Sequence, residues 1–192
     1  MRATTAEAVE APARAQASPV RMGITFFLMS ESFLFGSLFW TYYYLRALTP
    51  GWPPHHPAMS LAAINTAFLF AGSCAVWAGV RSIRNGKERG LRTALLIAAL
   101  LGAAFLGITL WEWFHEDFTP STDAYGSIFF TLTGFHALHV LGGVLLMLAL
   151  LGRTMRHRFS AGDFAAVEAG SMYWHFVDVI WILVFATIFI AR

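Results

Sequence analysis

The segment Tyr173-Trp174-His175-Phe176-Val177-Asp178-Val179-Ile180-Trp181 decides how this chain is read. It lies inside the last long apolar run, Val167–Ala191, so a histidine and an aspartate fall at the depth of a lipid bilayer. A charge there costs about 2.5–3.5 kcal/mol on insertion scales. Residues three apart share a helix face, so His175 and Asp178 can bond each other or a shared partner, which offsets part of the cost. An ionisable pair inside the membrane is by default a functional hypothesis.

Working outward, four more apolar runs precede it, at about Met22–Leu45, Leu61–Val80, Thr93–Trp113 and Gly126–Leu151. Each is near or above the roughly 20 residues a helix needs to cross about 30 Å of hydrocarbon. Only 12% of the 192 residues are charged and 57% are hydrophobic, whereas a soluble domain carries about a quarter charged residues. A membrane barrel needs alternating segments, and Ala94–Leu101 does not alternate. The expected fold is all-α: one membrane domain of five transmembrane helices over 21–192, preceded by a flexible cytoplasmic tail over 1–20. That tail has no apolar core followed by a small-residue cleavage site, so it does not read as a cleaved signal peptide. Cys74 is the only cysteine; it excludes an internal disulfide and is expected to be packed within its helix.

Eleven of the thirteen lysines and arginines flank the same helix ends: Arg2, Arg14 and Arg21, then Arg81, Arg84, Lys87, Arg89 and Arg92, then Arg153, Arg156 and Arg158. Only Arg46 and Arg192 fall on the other side. The positive-inside rule then places the N-terminus in the cytoplasm and the C-terminus outside. Because the basic clusters border membrane spans, they read as topology and not as a nucleic-acid surface. Trp40, Tyr42, Tyr43, Tyr44 and Trp52, with Trp111 and Trp113, fit an aromatic belt at the outer headgroups. The loop with Glu116, Asp117 and Asp123 is acidic, either simply solvated or receptive to a basic soluble partner.

The loops are short, and Pro50-Gly51-Trp52-Pro53-Pro54 forms a helix-breaking turn. No internal repeat supports an inverted-repeat transporter. Ala99, Ala103 and Gly107 in helix 3, and Gly134, Gly142 and Gly143 in helix 4, predict close helix packing.

Other polar groups fall within the spans. Glu31 lies well inside helix 1; its carboxyl is either a structural hydrogen-bonding group or a proton-linked one. His136 and His139 share a face of helix 4 and suit either hydrogen-bonded packing or, with His175 as third ligand, a metal or haem. Glu168 opens helix 5, where a carboxylate favours the helix N-terminus and can bond the neighbouring helix ends. Glu112, between Trp111 and Trp113 near the outer end of helix 3, is expected at the interface, where its cost is small. Asn65 and Thr66 are expected to bond across helices.

At these residues the chain resembles subunit III of haem–copper terminal oxidases, most closely the cytochrome c oxidase branch. The resemblance covers nearly everything after residue 20. It runs through Ser30-Glu31, Phe39-Trp40, Trp52-Pro53-Pro54, Asn65-Thr66, Tyr125-Gly126-Ser127 and Phe129-Phe130. It continues through Thr133-Gly134-Phe135-His136, Leu138-His139-Val140, Glu168-Ala169 and the block Tyr173–Trp181. Three positions depart from the usual pattern: Thr109 stands where a glutamine is common, Trp113 where a tyrosine is common, and Ala137 where a glycine separates the two histidines. These changes put a local hydrogen bond near Glu112 in doubt.

The resemblance implies a five-helix, multi-pass subunit of a bacterial inner (plasma) membrane oxidase, with no haem or copper of its own. Those cofactors belong to partner subunits, and cytochrome c would be the electron donor to the complex. It implies direct packing on subunit I, association with subunit II and small subunits, and bound phospholipid. It also implies support of proton uptake and of resistance to turnover inactivation. Glu31 matches the family's intramembrane carboxylate that reacts with hydrophobic carbodiimides. His136, His139, Glu168, His175, Asp178 and Glu112 form the remaining intramembrane polar set. The alternatives are the equivalent subunit of a quinol oxidase or nitric-oxide-reductase-associated complex, an independent proton-linked transporter, and a haem-binding membrane cytochrome. Glu31 and Tyr173 favour the cytochrome c branch.

Overall fold

The structure, a computed structural model, describes residues 19–156, 159 and 164–191. Most of the expected N-terminal tail, and Arg158 and Arg192, lie outside the described residues. Among the described residues five helices follow in order: α1 Pro19–Leu48, α2 Met59–Arg84, α3 Glu88–His115, α4 Ala124–Met155 and α5 Ala165–Phe185. A π-helical turn, Ala186–Ile190, prolongs α5. The helices overrun most of the apolar runs by a few residues, because polar residues such as Arg81 and Arg153 continue the helix beyond the hydrocarbon-compatible stretch. Pro19 fits a first turn, where its missing N–H has no helical partner to lose. Asp123 caps α4 by accepting the Gly126 N–H at 2.7 Å. Gly86, at φ 72°, makes the tight α2–α3 turn possible.

The most extensive pairings are α2 with α3 and α3 with α4. α5 packs against α1, α2 and α4, whereas α1 leans chiefly on α4 and α5. The packing centre is Trp174 on α5, only 2% exposed. A methyl group placed on Gly102 would lie 2.9 Å from this indole and 2.6 Å from Val144 Cγ2; one on Gly72 or Gly143 would come within 3.1 or 3.2 Å of the ring. Glycines from three helices therefore make the slot that the indole fills. The Gly142-Gly143 expectation is met, but the stripe Ala99–Ala103–Gly107 is not. Ala103 and Gly107 are exposed, and Gly107 has no neighbour within reach of a Cβ. A strict four-residue step advances about 40° beyond each 3.6-residue turn, so that stripe drifts off the interface. The buried face follows alternating steps through Ala98, Gly102, Phe105 and Thr109.

The two ends of the bundle differ in charge. At the basic end, Glu168 receives Arg21 at 2.9 Å and Arg84 at 2.8 Å, joining α5 to α1 and α2. Arg92 bonds both Glu88 and the Thr154 carbonyl, joining α3 to α4. At the opposite end Arg46 donates to the Ala191 carbonyl. His55 pairs with Asp123 at 2.9 Å and stacks on Phe118 with ring centroids 4.4 Å apart. Trp40, Tyr44 and Trp111 face outward there as a headgroup belt would. Tyr42 and Trp52 do not: Tyr42 is fully buried, and Trp52 packs edge-on between it and Tyr125. The proline-rich turn folds back over the helix ends and carries Trp52 inward. Cys74 is also corrected: it is exposed on the outside of α2 rather than packed.

Glu116 follows the end of α3. Burial, and secondarily Asp117, hold its carboxyl above the ordinary carboxylate range, while His55 pulls it the other way. The fold therefore favours its neutral form, and its contribution to stability declines as pH rises through the raised value. Glu116→Gln is expected to raise stability at neutral pH but give no gain in acid, where Glu116 already carries its proton. Melting in mild detergent between about pH 4 and about pH 8 measures this; an unchanged difference across that range would contradict it.

Candidate functional site: polar pairs at mid-membrane depth

Glu31 sits near the middle of α1 and His139 near the middle of α4, and their side chains meet at 3.0 Å (Oε2 to Nε2). Both are mostly shielded, with side-chain exposures of 17% and 14%. His139 Nδ1 lies 2.7 Å from the Phe135 carbonyl, which can only accept, so that nitrogen carries a proton. The Nε2···Oε2 contact then holds one further proton, on either the imidazole or the carboxyl. Both placements leave the pair with no net charge, which makes it tolerable in hydrocarbon. Tyr173 donates to the His139 carbonyl at 3.0 Å, and its ring stacks near Phe27, so α5 braces the α1–α4 pair. Phe35 covers the imidazole edge-on at 5.0 Å.

A second polar group lies on the other side of α5. His175 and Asp178 do meet a shared partner: Ser73 of α2. His175 Nδ1 is 3.2 Å from Ser73 Oγ, and the Asp178 carboxyl lies beside the same hydroxyl. A hydroxyl both donates and accepts. The consistent order is His175 N–H to Ser73 oxygen, and Ser73 O–H to Asp178.

His136 behaves differently from the expected hydrogen-bonded histidine. It is fully buried, edge-on to Phe105 at 5.5 Å and tilted against Trp181 at 5.0 Å, and neither ring nitrogen has a hydrogen-bond partner among the described residues. The three imidazoles thus face three different neighbours: His136 the α3–α5 aromatics, His139 Glu31, and His175 Ser73. They do not converge on a common ligand position.

Glu112 is 6% exposed, buried within the last turns of α3, and its Oε1 has no partner among the described residues. Thr109, in the position where the resembled family commonly has glutamine, instead accepts from Asn65 Nδ2 at 3.2 Å. The neighbouring expectation for Thr66 is met by Trp181, whose Nε1 donates to its hydroxyl at 2.9 Å. Ser73 and Tyr173 are the functional-site residues that sequence reasoning missed as partners. Ser73 offered only a lone hydroxyl within an apolar run, one turn from nothing else polar.

Among the described residues five membrane-length apolar helices, braced by polar pairs near their centres, define a multi-pass membrane bundle. The family model for cytochrome c oxidase subunit III matches residues 4–191. The chain is 37% identical over 172 residues to cytochrome c oxidase subunit 3 of Synechocystis sp., covering 88% of this chain and 74% of that one. It is 37% identical over 172 residues to the subunit of Thermostichus vulcanus, covering 88% and 86%. With a probable cytochrome c oxidase subunit 3 of Nocardia farcinica the identity is 40% over 179 residues, covering 90% and 88%. The chain belongs to the cytochrome c oxidase subunit III family.

Proposed function

We propose that this chain is the non-redox subunit III of a proton-pumping cytochrome c oxidase in a bacterial inner membrane. It packs on catalytic subunit I, alongside subunit II and small subunits, in a complex reduced by cytochrome c. Haem and copper reside in those partners, and phospholipid binds to this chain's outer surface. The basic end, with Arg21, Arg84 and Glu168, faces the cytoplasm, in keeping with the positive-inside rule. There it supports proton uptake by subunit I and prolongs the working life of that subunit.

The observation that carries this reading is the Glu31–His139 pair. It holds a proton at mid-depth without net charge, which suits a subunit that adjusts proton supply and not one that transfers electrons. Glu31→Gln in the assembled oxidase is expected to leave the haem spectrum unchanged and to reduce the number of turnovers completed before inactivation. A hydrophobic carbodiimide is expected to label Glu31 ahead of Glu116 and Glu168. Loss of a haem band, or equal labelling of all three, would overturn the reading.

A further inference from the structure

The seam between α2 and α5 leaves a polar group open to the outside of the bundle at mid-depth. Ser73 and Asp178 stand near the centres of their helices. Ser73 is 8% exposed, but His175 and Asp178 are only half-buried. On the α2 side the seam is bordered by Phe70, Cys74 and Trp77, all exposed. On the α5 side it is bordered by Met172, Val179 and Ile182, also exposed. Phe70, Cys74 and Trp77 advance by four and three residues, and Met172, Val179 and Ile182 by seven and three, so each set follows one outward line of its helix, one on each side of the Ser73–His175–Asp178 group.

Lipid tails cannot complete this group. A carboxyl group has about four acceptor positions, and Asp178, beside Ser73 and His175, keeps part of its surface open to the outside of the bundle. Headgroups lie about half a bilayer, roughly 15 Å, away. What remains is a protein surface. We propose that the α2–α5 seam is the docking line for a transmembrane helix of the catalytic partner, and that this helix brings a hydrogen-bond donor, neutral or cationic, to Asp178. The inference rests on the subunit reading above and names the surface through which the subunit binds. On the contrasting flank α3 exposes Leu96 and Leu100, which offer no hydrogen-bonding side-chain group.

The test uses the intact oxidase in its native membrane, with photoactivatable benzoylphenylalanine placed at Trp77, Val179 or Leu100. Trp77 and Val179 are expected to give covalent adducts with a larger oxidase chain, and Leu100 with lipid. Asp178→Asn, tested separately, is expected to reduce the amount of this chain retained by the detergent-purified oxidase roughly tenfold, as for a buried polar group that loses its bond. Adducts from Trp77 and Val179 with lipid alone, or with a second copy of this chain, would overturn the inference while the oxidase stays assembled. Recovery of the chain with no oxidase partner would instead defeat the subunit reading, and the inference with it.

Discussion

Trp174→Ala is expected to destabilise the bundle by about 3–5 kcal/mol, the usual cost of removing a large aromatic from a packed core. The indole occupies a slot that Gly72, Gly102 and Gly143 leave open. Within a bilayer the loss falls on packing rather than on solvent exclusion, because tails are as apolar as the side chains they replace. A companion change, Gly102→Ala, attacks the same slot from the opposite direction. Its methyl would meet Val144 and the indole at 2.6 and 2.9 Å, and overpacking of this kind costs about 1–3 kcal/mol. Denaturant titration of helicity in mild detergent measures both. Midpoints equal to the wild type would show that the slot does not hold the helices together.

His139→Leu is expected to cost a similar amount, about 3–5 kcal/mol, because it leaves Glu31 in the membrane without its partner. The double change Glu31→Leu with His139→Leu removes both polar groups and is expected to recover most of that loss. Replacing a buried pair with well-packed apolar residues is often neutral or better. Function should separate from stability here. The double variant is expected to fold and assemble yet inactivate sooner under turnover, since the pair that holds the proton is gone. A single variant no less stable than the double one would mean that the 3.0 Å contact contributes nothing.

Much of the architecture was legible in the chain because the membrane imposes it. Each span needs enough apolar residues to cross, and runs of that length leave few choices for helix number or order. Arginines beyond the runs and the proline-rich turn then mark the ends, which fall within a few residues of the observed helices. What failed to appear was lateral detail. The Ala99–Gly107 stripe has the right composition and the wrong angle, whereas Gly102, one face over, makes the contact. Glu112, near a helix end, is nonetheless buried within the bundle. Partnerships across helices, Glu31 with His139 and Ser73 with His175, depend on which helices are neighbours and how each is rotated. A single chain carries no direct mark of either. The likeness to the oxidase family, by contrast, was readable from ordered motifs such as Tyr173–Trp181, and the family match covers residues 4–191.

The central claim is that this bundle serves inside a redox complex without holding a redox centre itself. Purification of the native complex in mild detergent, followed by selective removal of this chain and an optical spectrum of each fraction, tests it most directly. The account expects the chain to co-purify with a larger catalytic subunit and, once removed, to be colourless while the remaining complex keeps its haem bands. Haem bands that leave with this chain, or a chain that purifies alone as a stable, active protein, would contradict it.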